Sequence, residues 1–146
     1  MSANSDANTD GEGRDVGGWL VDFLRAHGGI AGSVHVRNGD DLVLVAAHNI
    51  PPKVQKITAV VPRGKGMAGL ALARGEAVQT CNLQTDDSGD VRPGARAVNA
   101  NAAVALPVTD SVGRVRAIVG IAFGTEREIP TQEMITLLAG SADLPT

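Results

Sequence analysis

At 146 residues the chain can enclose one hydrophobic core but not two domains of ordinary size. Hydrophobic residues make up 43 % of it, so it needs no metal or disulfide to fold, and no run approaches the roughly 18 apolar residues of a membrane span. The formal charge of −3 sits in residues 1–15, where Asp6, Asp10, Glu12 and Asp15 outweigh Arg14; the neutral remainder, with two Phe, one Trp and no Tyr, offers nucleic acid neither a basic footprint nor stacking platforms.

Residues 1–15 have almost nothing to bury, which predicts a disordered acidic tail. Asp15 is placed to cap a helix over 16–27, whose Trp19, Leu20, Phe23 and Leu24 share one face and which Gly28-Gly29 ends. Residues 33–37 alternate as a half-buried strand, Asn38-Gly39 supplies a tight turn, and 42–47 return as a mostly buried strand. Pro51-Pro52 breaks the chain before a short helical turn at 53–57 and a strand within 58–61. Gly64, Gly66 and Gly69 open a helix to about residue 73 that Gly75 closes, and 78–80 form a short strand. A long polar connection follows from 82 to 101, with one or two helical turns within 93–98. Residues 102–108 and 114–124 read as a second hairpin, in which Pro107 implies an edge or a bulge. Val115, Ala117, Val119, Ile121 and Phe123 alternate with a second set that shrinks to Gly120 and Ala122, which predicts close approach of a helix to that face. Thr131 is placed to cap a final helix over 132–143, with Met134, Ile135, Leu137 and Leu138 as its buried face. Gly140 costs that helix about 1 kcal/mol relative to Ala.

These elements define an α+β domain. Taken in order, Gly64-Lys65-Gly66-Met67-Ala68-Gly69, Gly75-Glu76-Ala77-Val78, Ala105-Leu106-Pro107-Val108 and Val119-Gly120-Ile121-Ala122 resemble a GAF domain. This is the small sensory module that bacteria use to bind ligands and to dimerise. The resemblance spans residues 16–146 as a single domain and implies a PAS-like central antiparallel sheet. Its terminal helices would lie on one face, and a lid of short helix and loops, enclosing a ligand pocket, on the other. It further implies a homodimer through the terminal helices, with Trp19, Phe23 and Leu137 at the interface. No output domain is expected beyond the last helix, and a signal is expected to leave through self-association or through a separate signalling protein such as a kinase.

Several constellations bear on chemistry. Gly64-x-Gly66-x-x-Gly69 is a phosphate-loop spacing, but no parallel βαβ series surrounds it, so a tight turn into a helix is the better reading. Cys81, the single cysteine, excludes an internal disulfide, fits a reducing compartment and has neutral sequence neighbours; it reads as an inert buried thiol. The N-terminus carries no secretory signal, so the expected location is the cytoplasm, away from any membrane.

Against the enzyme of the resembling family, the free methionine-(R)-sulfoxide reductase, Ala68 stands where that branch has a cysteine, and one thiol cannot form the disulfide its turnover needs. The chain is therefore expected not to be an enzyme. Neither the Cys-His pair of bilin-binding members nor the Asn-Lys-Phe-Asp-Glu signature of cyclic-nucleotide-binding members is present, and the aromatic lining of a haem site is missing. His27, His35 and His48 stand on different elements without partners at metal spacing, so neither metal nor cofactor is expected. The expected ligand is an unknown small molecule. Arg92 and Arg96 would hold an anionic group, with Met67, Asn82, Asp86 and Asn101 around it; the charge-rich connection also reads as a solvated loop.

Overall fold

The computed structural model describes residues 15–80 and 100–145. The acidic tail before Asp15, Cys81, and the polar connection with its expected helical turns lie outside the described residues. The first helix, α1 (Val16–His27), buries Leu20, Phe23 and Leu24 and ends on Gly28, whose left-handed φ of 74° a side chain would resist. Asp15 stands at its N-cap but makes no side-chain capping bond.

Strands β1 (Ala31–Asn38) and β2 (Asp41–His48) form the first hairpin. Its closing pair is Asn38 with Asp41, so the turn is Gly39-Asp40, one residue later than expected. Gly39 alone takes the positive φ, 66°, and Asn38 stays in the strand. The chain continues through α2 (Pro52–Ile57), β3 (Val60–Pro62), α3 (Gly66–Arg74) and β4 (Val78–Thr80). Residues Ala102–Thr109 (β5) and Val115–Phe123 (β6) make the second hairpin, and α4 (Thr131–Ser141) follows.

All pairings are antiparallel, in the order β3-β2-β1-β6-β5-β4. Pro107 lies in β5, an interior strand, yet β4 pairs β5 only at Ala103, Val104 and Ala105. The proline therefore occupies a stretch with a free flank, where a missing N–H costs the ladder nothing.

One sheet face packs against α1 and α4. Leu20, Phe23 and Leu24 meet Val34, Val119, Ile121 and Leu137 in one buried cluster. The other face meets α3, whose Ala71 and Leu72 pack on Leu42, Ala105 and Ile118. The sheet is thus sandwiched between the paired terminal helices and the glycine-turn helix, as the resemblance implied. Two local expectations change. Thr131 is the first residue of α4 rather than its cap, a position Pro130 takes without any side-chain bond. Ile135 is 54 % exposed, because the inward face follows Met134, Leu137, Leu138 and Ser141 at helical spacing. Gly140 has its reason in packing: a Cβ there would lie 2.9 Å from the His27 ring and 3.2 Å from Phe23, so its absence lets α4 close on α1.

A small apolar cavity on the lid side of the sheet

The residues of β6 that shrink to Gly120 and Ala122 do not simply admit a helix. Of that set, Ile118 packs with α3 in its buried cluster and Ala122 joins Met67 around Ala100; between them the small residues leave space. Gly120 pairs with Ser33 on one side and Ala105 on the other, and a Cβ there would sit 2.9 Å from the Ser33 hydroxyl. With Ala103 and Ala122 beside it, the sheet lacks the volume to reach its covering elements. The result is a cavity of about 160 Å³, walled by Met67 and Ala68 of α3 and by Val54 and Thr58 from the α2 region.

The wall from α3 depends on its glycine turn. Gly64, at a φ of 82°, donates its N–H to the Gly69 carbonyl at 2.8 Å, Lys65 donates to Pro62 at 3.1 Å, and Gly69 donates to Lys65 at 3.1 Å. A Cβ on Gly69 would run into the Pro62 carbonyl oxygen. The turn spends these donors on its own closure, which makes it a structural device for docking α3 and not a phosphate cradle.

His35 is the buried polar group of the cavity, at 4 % exposure. Regular alternation along β1 places it: Ser33 pairs with Gly120 and His35 with Ile118, so both side chains share the lid face. The pairing with β2 shifts register beside it, Val34 with Ala46 and His35 with Leu44, which leaves Val45 of β2 without a partner in β1. The imidazole Nε2 lies 2.8 Å from the Thr58 carbonyl oxygen. A carbonyl can only accept, so Nε2 carries the proton and Nδ1 is an acceptor in the neutral ring. No described residue offers Nδ1 a hydrogen bond.

Desolvation lowers the His35 pKa from its ordinary value of 6.5, and the bond to Thr58 opposes that shift without overturning it. The folded protein therefore binds this proton less readily than the unfolded chain. The His35 contribution to stability is complete above about pH 6.5 and is lost as the pH falls from there through the lowered folded-state value. Denaturant melts are expected to show stability dropping as the pH falls below about 6.5. In His35→Gln the drop should be visibly shallower; an equal slope would remove His35 as its source.

Of the side chains expected at a ligand, Met67 lines the cavity. Asn101 does not: its Nδ2 donates to the Gly124 carbonyl at 2.9 Å and its backbone N–H to Phe123, pinning the end of the β5–β6 hairpin. Asn82, Asp86, Arg92 and Arg96 lie outside the described residues. On the helical face, Phe23 and Leu137 are enclosed within the protomer, so neither presents a surface to a second copy. Trp19 is half-buried and stacks on Phe23 with ring centroids 5.1 Å apart. No group of three His, Cys, Asp or Glu side chains suited to a metal occurs among the described residues. Sequence reasoning missed His35 as a cavity residue, because only the strand register shows it sharing a face with Ser33, Gly120 and Ala103.

Comparison with known proteins agrees with this architecture. No curated protein matches the sequence. Among solved structures, the GAF domain of a phosphoenolpyruvate-protein phosphotransferase from Acinetobacter superposes with a TM-score of 0.66 at 14 % identity, over 88 % of this chain and 78 % of that one. Free methionine-R-sulfoxide reductase from Neisseria meningitidis, in complex with its substrate, gives 0.68 at 15 %, over 91 % and 78 %. A domain of a putative two-component sensor histidine kinase protein from Sinorhizobium meliloti gives 0.67 at 14 %, over 89 % and 85 %. At these identities the likeness is one of fold. A family model described as GAF domain matches residues 14–144, nearly the whole described structure. With its six-stranded antiparallel sheet between terminal helices and glycine-turn helix, the chain belongs to the GAF domain family.

Proposed function

We propose that this chain is a non-catalytic regulatory domain that senses a small molecule in the cavity on the lid side of its sheet. The observation that carries this reading is an apolar cavity of about 160 Å³ with a single buried polar side chain, His35, among its described lining residues. Concave, largely apolar sites with few placed polar groups are where small ligands bind. Structural relatives include both signalling domains and sulfoxide reductases. The choice against catalysis rests on the chemistry of the lining: Ala68 faces the cavity where the reductase branch has a thiol, and the chain has one cysteine in all. The lone cysteine also supports a reducing, cytoplasmic setting, and no described helix is long and apolar enough to cross a membrane.

A thermal-shift screen of the full chain against a metabolite library tests the reading. At least one small molecule is expected to raise Tm, since a ligand that binds only the folded state stabilises it by mass action. Ala122→Leu, which adds three carbons at the cavity wall, should abolish that rise. A library without a single responder would leave an interaction module with a self-filled pocket.

The signal would leave as a homodimer, or through a separate partner such as a kinase, by way of the outer surfaces of α1 and α4. Trp19 is half-buried there and Ile135 is exposed. In light scattering Trp19→Glu is expected to lower the mass of the native protein from dimer toward monomer, with its far-UV circular dichroism retained. An unchanged dimer mass would remove Trp19 from the interface.

A further inference from the structure

We propose that the cavity selects a small uncharged molecule carrying one N–H or O–H group, which donates to Nδ1 of His35. This rests on the sensing reading and narrows it to a ligand class.

Volume sets the size. An engineered apolar cavity of about 150 Å³ holds benzene, so a space of about 160 Å³ accommodates a body of roughly six to eight non-hydrogen atoms. Lining chemistry sets the charge. Ala103, Ala105, Ile118, Val54 and Met67 would leave an ion among them unpaired, at a cost no described residue offsets. Lys65, the one side chain among the described lining residues that is charged at neutral pH, is exposed to solvent.

His35 sets the polarity. The bond from Nε2 to the Thr58 carbonyl fixes the tautomer, and Nδ1 is left as an acceptor that no described residue satisfies. Burial favours the neutral ring, which keeps that acceptor available at neutral pH. A buried acceptor without a partner is costly, so a ligand bringing a donor gains over one that does not. Ser33, two residues earlier on the same strand face, lines the same cavity with a hydroxyl that makes no bond to any described residue. It can serve a second polar atom of the ligand as donor or acceptor.

Phenol and toluene, which share a ring and a non-hydrogen atom count and differ in O–H against methyl, are suitable probes. In a wholly apolar cavity phenol loses, because its hydroxyl is stripped of water without compensation. Calorimetric titration of the full chain at pH 7.5 is expected to show phenol binding at least as tightly as toluene. In His35→Phe, phenol should fall behind toluene by about tenfold or more. His35→Gln, which keeps an acceptor, should restore part of the difference. Should the Phe variant fail to fold, nitrogen NMR of the wild type decides: the Nδ1 resonance of His35 is expected to move with phenol and not with toluene. Toluene favoured tenfold in the wild type, or an Nδ1 resonance indifferent to phenol, overturns this ligand class while leaving the sensing reading intact. If neither probe binds, the accessible cavity itself is refuted, and the sensing reading with it.

Discussion

Phe23→Ala is expected to lower the unfolding free energy by about 3–5 kcal/mol, the range for truncating a fully buried Phe. The ring is 5 % exposed, packs among Leu20, Leu24, Val34 and Ile121, and carries the stacked Trp19 on one side and the tilted His27 ring on the other. Removing it leaves a cavity that the sheet behind it is too rigid to refill, and strips both aromatic neighbours of their partner. In a chain of this size the change corresponds to a fall in Tm of about 10 °C or more. The measurement also separates a core from an interface. A side chain buried within the protomer loses the same free energy at every protein concentration, whereas an interface residue gives a loss that grows with association. Urea melts over a hundredfold range of concentration should show a constant difference from wild type. A difference that vanishes on dilution would return Phe23 to the dimer surface.

Gly69→Val is expected to cost about 3 kcal/mol, near the upper end of the overpacking range. Gly69 is buried in the first turn and a half of α3, and a Cβ there meets the Pro62 carbonyl oxygen and the Gly64 backbone, none of which can swing aside as a side chain could. The clash would push α3 off the sheet at its N-terminal end, where Met67 and Ala68 wall the cavity. Lost stability should therefore come with lost ligand response, even at temperatures where the variant is still folded. Gly75→Ala is the useful contrast: it has open space around it but a φ of 69°, so its cost is local strain of about 1 kcal/mol, with the cavity untouched. Equal Tm values for Gly69→Val and wild type would mean that α3 approaches the sheet less closely than described.

The elements were legible where one signal dominated. The turn residues and the alternation in 102–108 and 114–124 located the second hairpin to within a residue or two, and Gly28 and Gly75 stopped their helices as left-handed caps. Errors arose where two neighbours could both satisfy a local rule. Asn38 tolerates a positive φ as Gly39 does, and pairing with Asp41 decided between Asn38-Gly39 and Gly39-Asp40. Ile135 is as apolar as Met134, but helical spacing turns it to solvent.

The candidate site was far less legible. Polarity drew attention to the long connection, most of which lies outside the described residues, whereas the sheet side of the cavity owes its space to Ala103, Ala105, Gly120 and Ala122, which are informative only as volume that is missing. His35 carried no spacing cue, since its partner Thr58 stands 23 residues away and the small residues beside it come from β5 and β6.

Hydrophobic periodicity and turn chemistry, which act within a few residues, were sufficient to determine an α+β domain with a helix at each end, and the ordered glycine and strand motifs added the likeness to a GAF domain. Whether a face is filled or hollow is a sum of volumes from strands distant in the chain, and whether an aromatic is core or interface depends on what packs over it. Those matters were decided only by tertiary packing, which brought Gly120 beside Ser33 and Ala105 and closed α4 over Phe23.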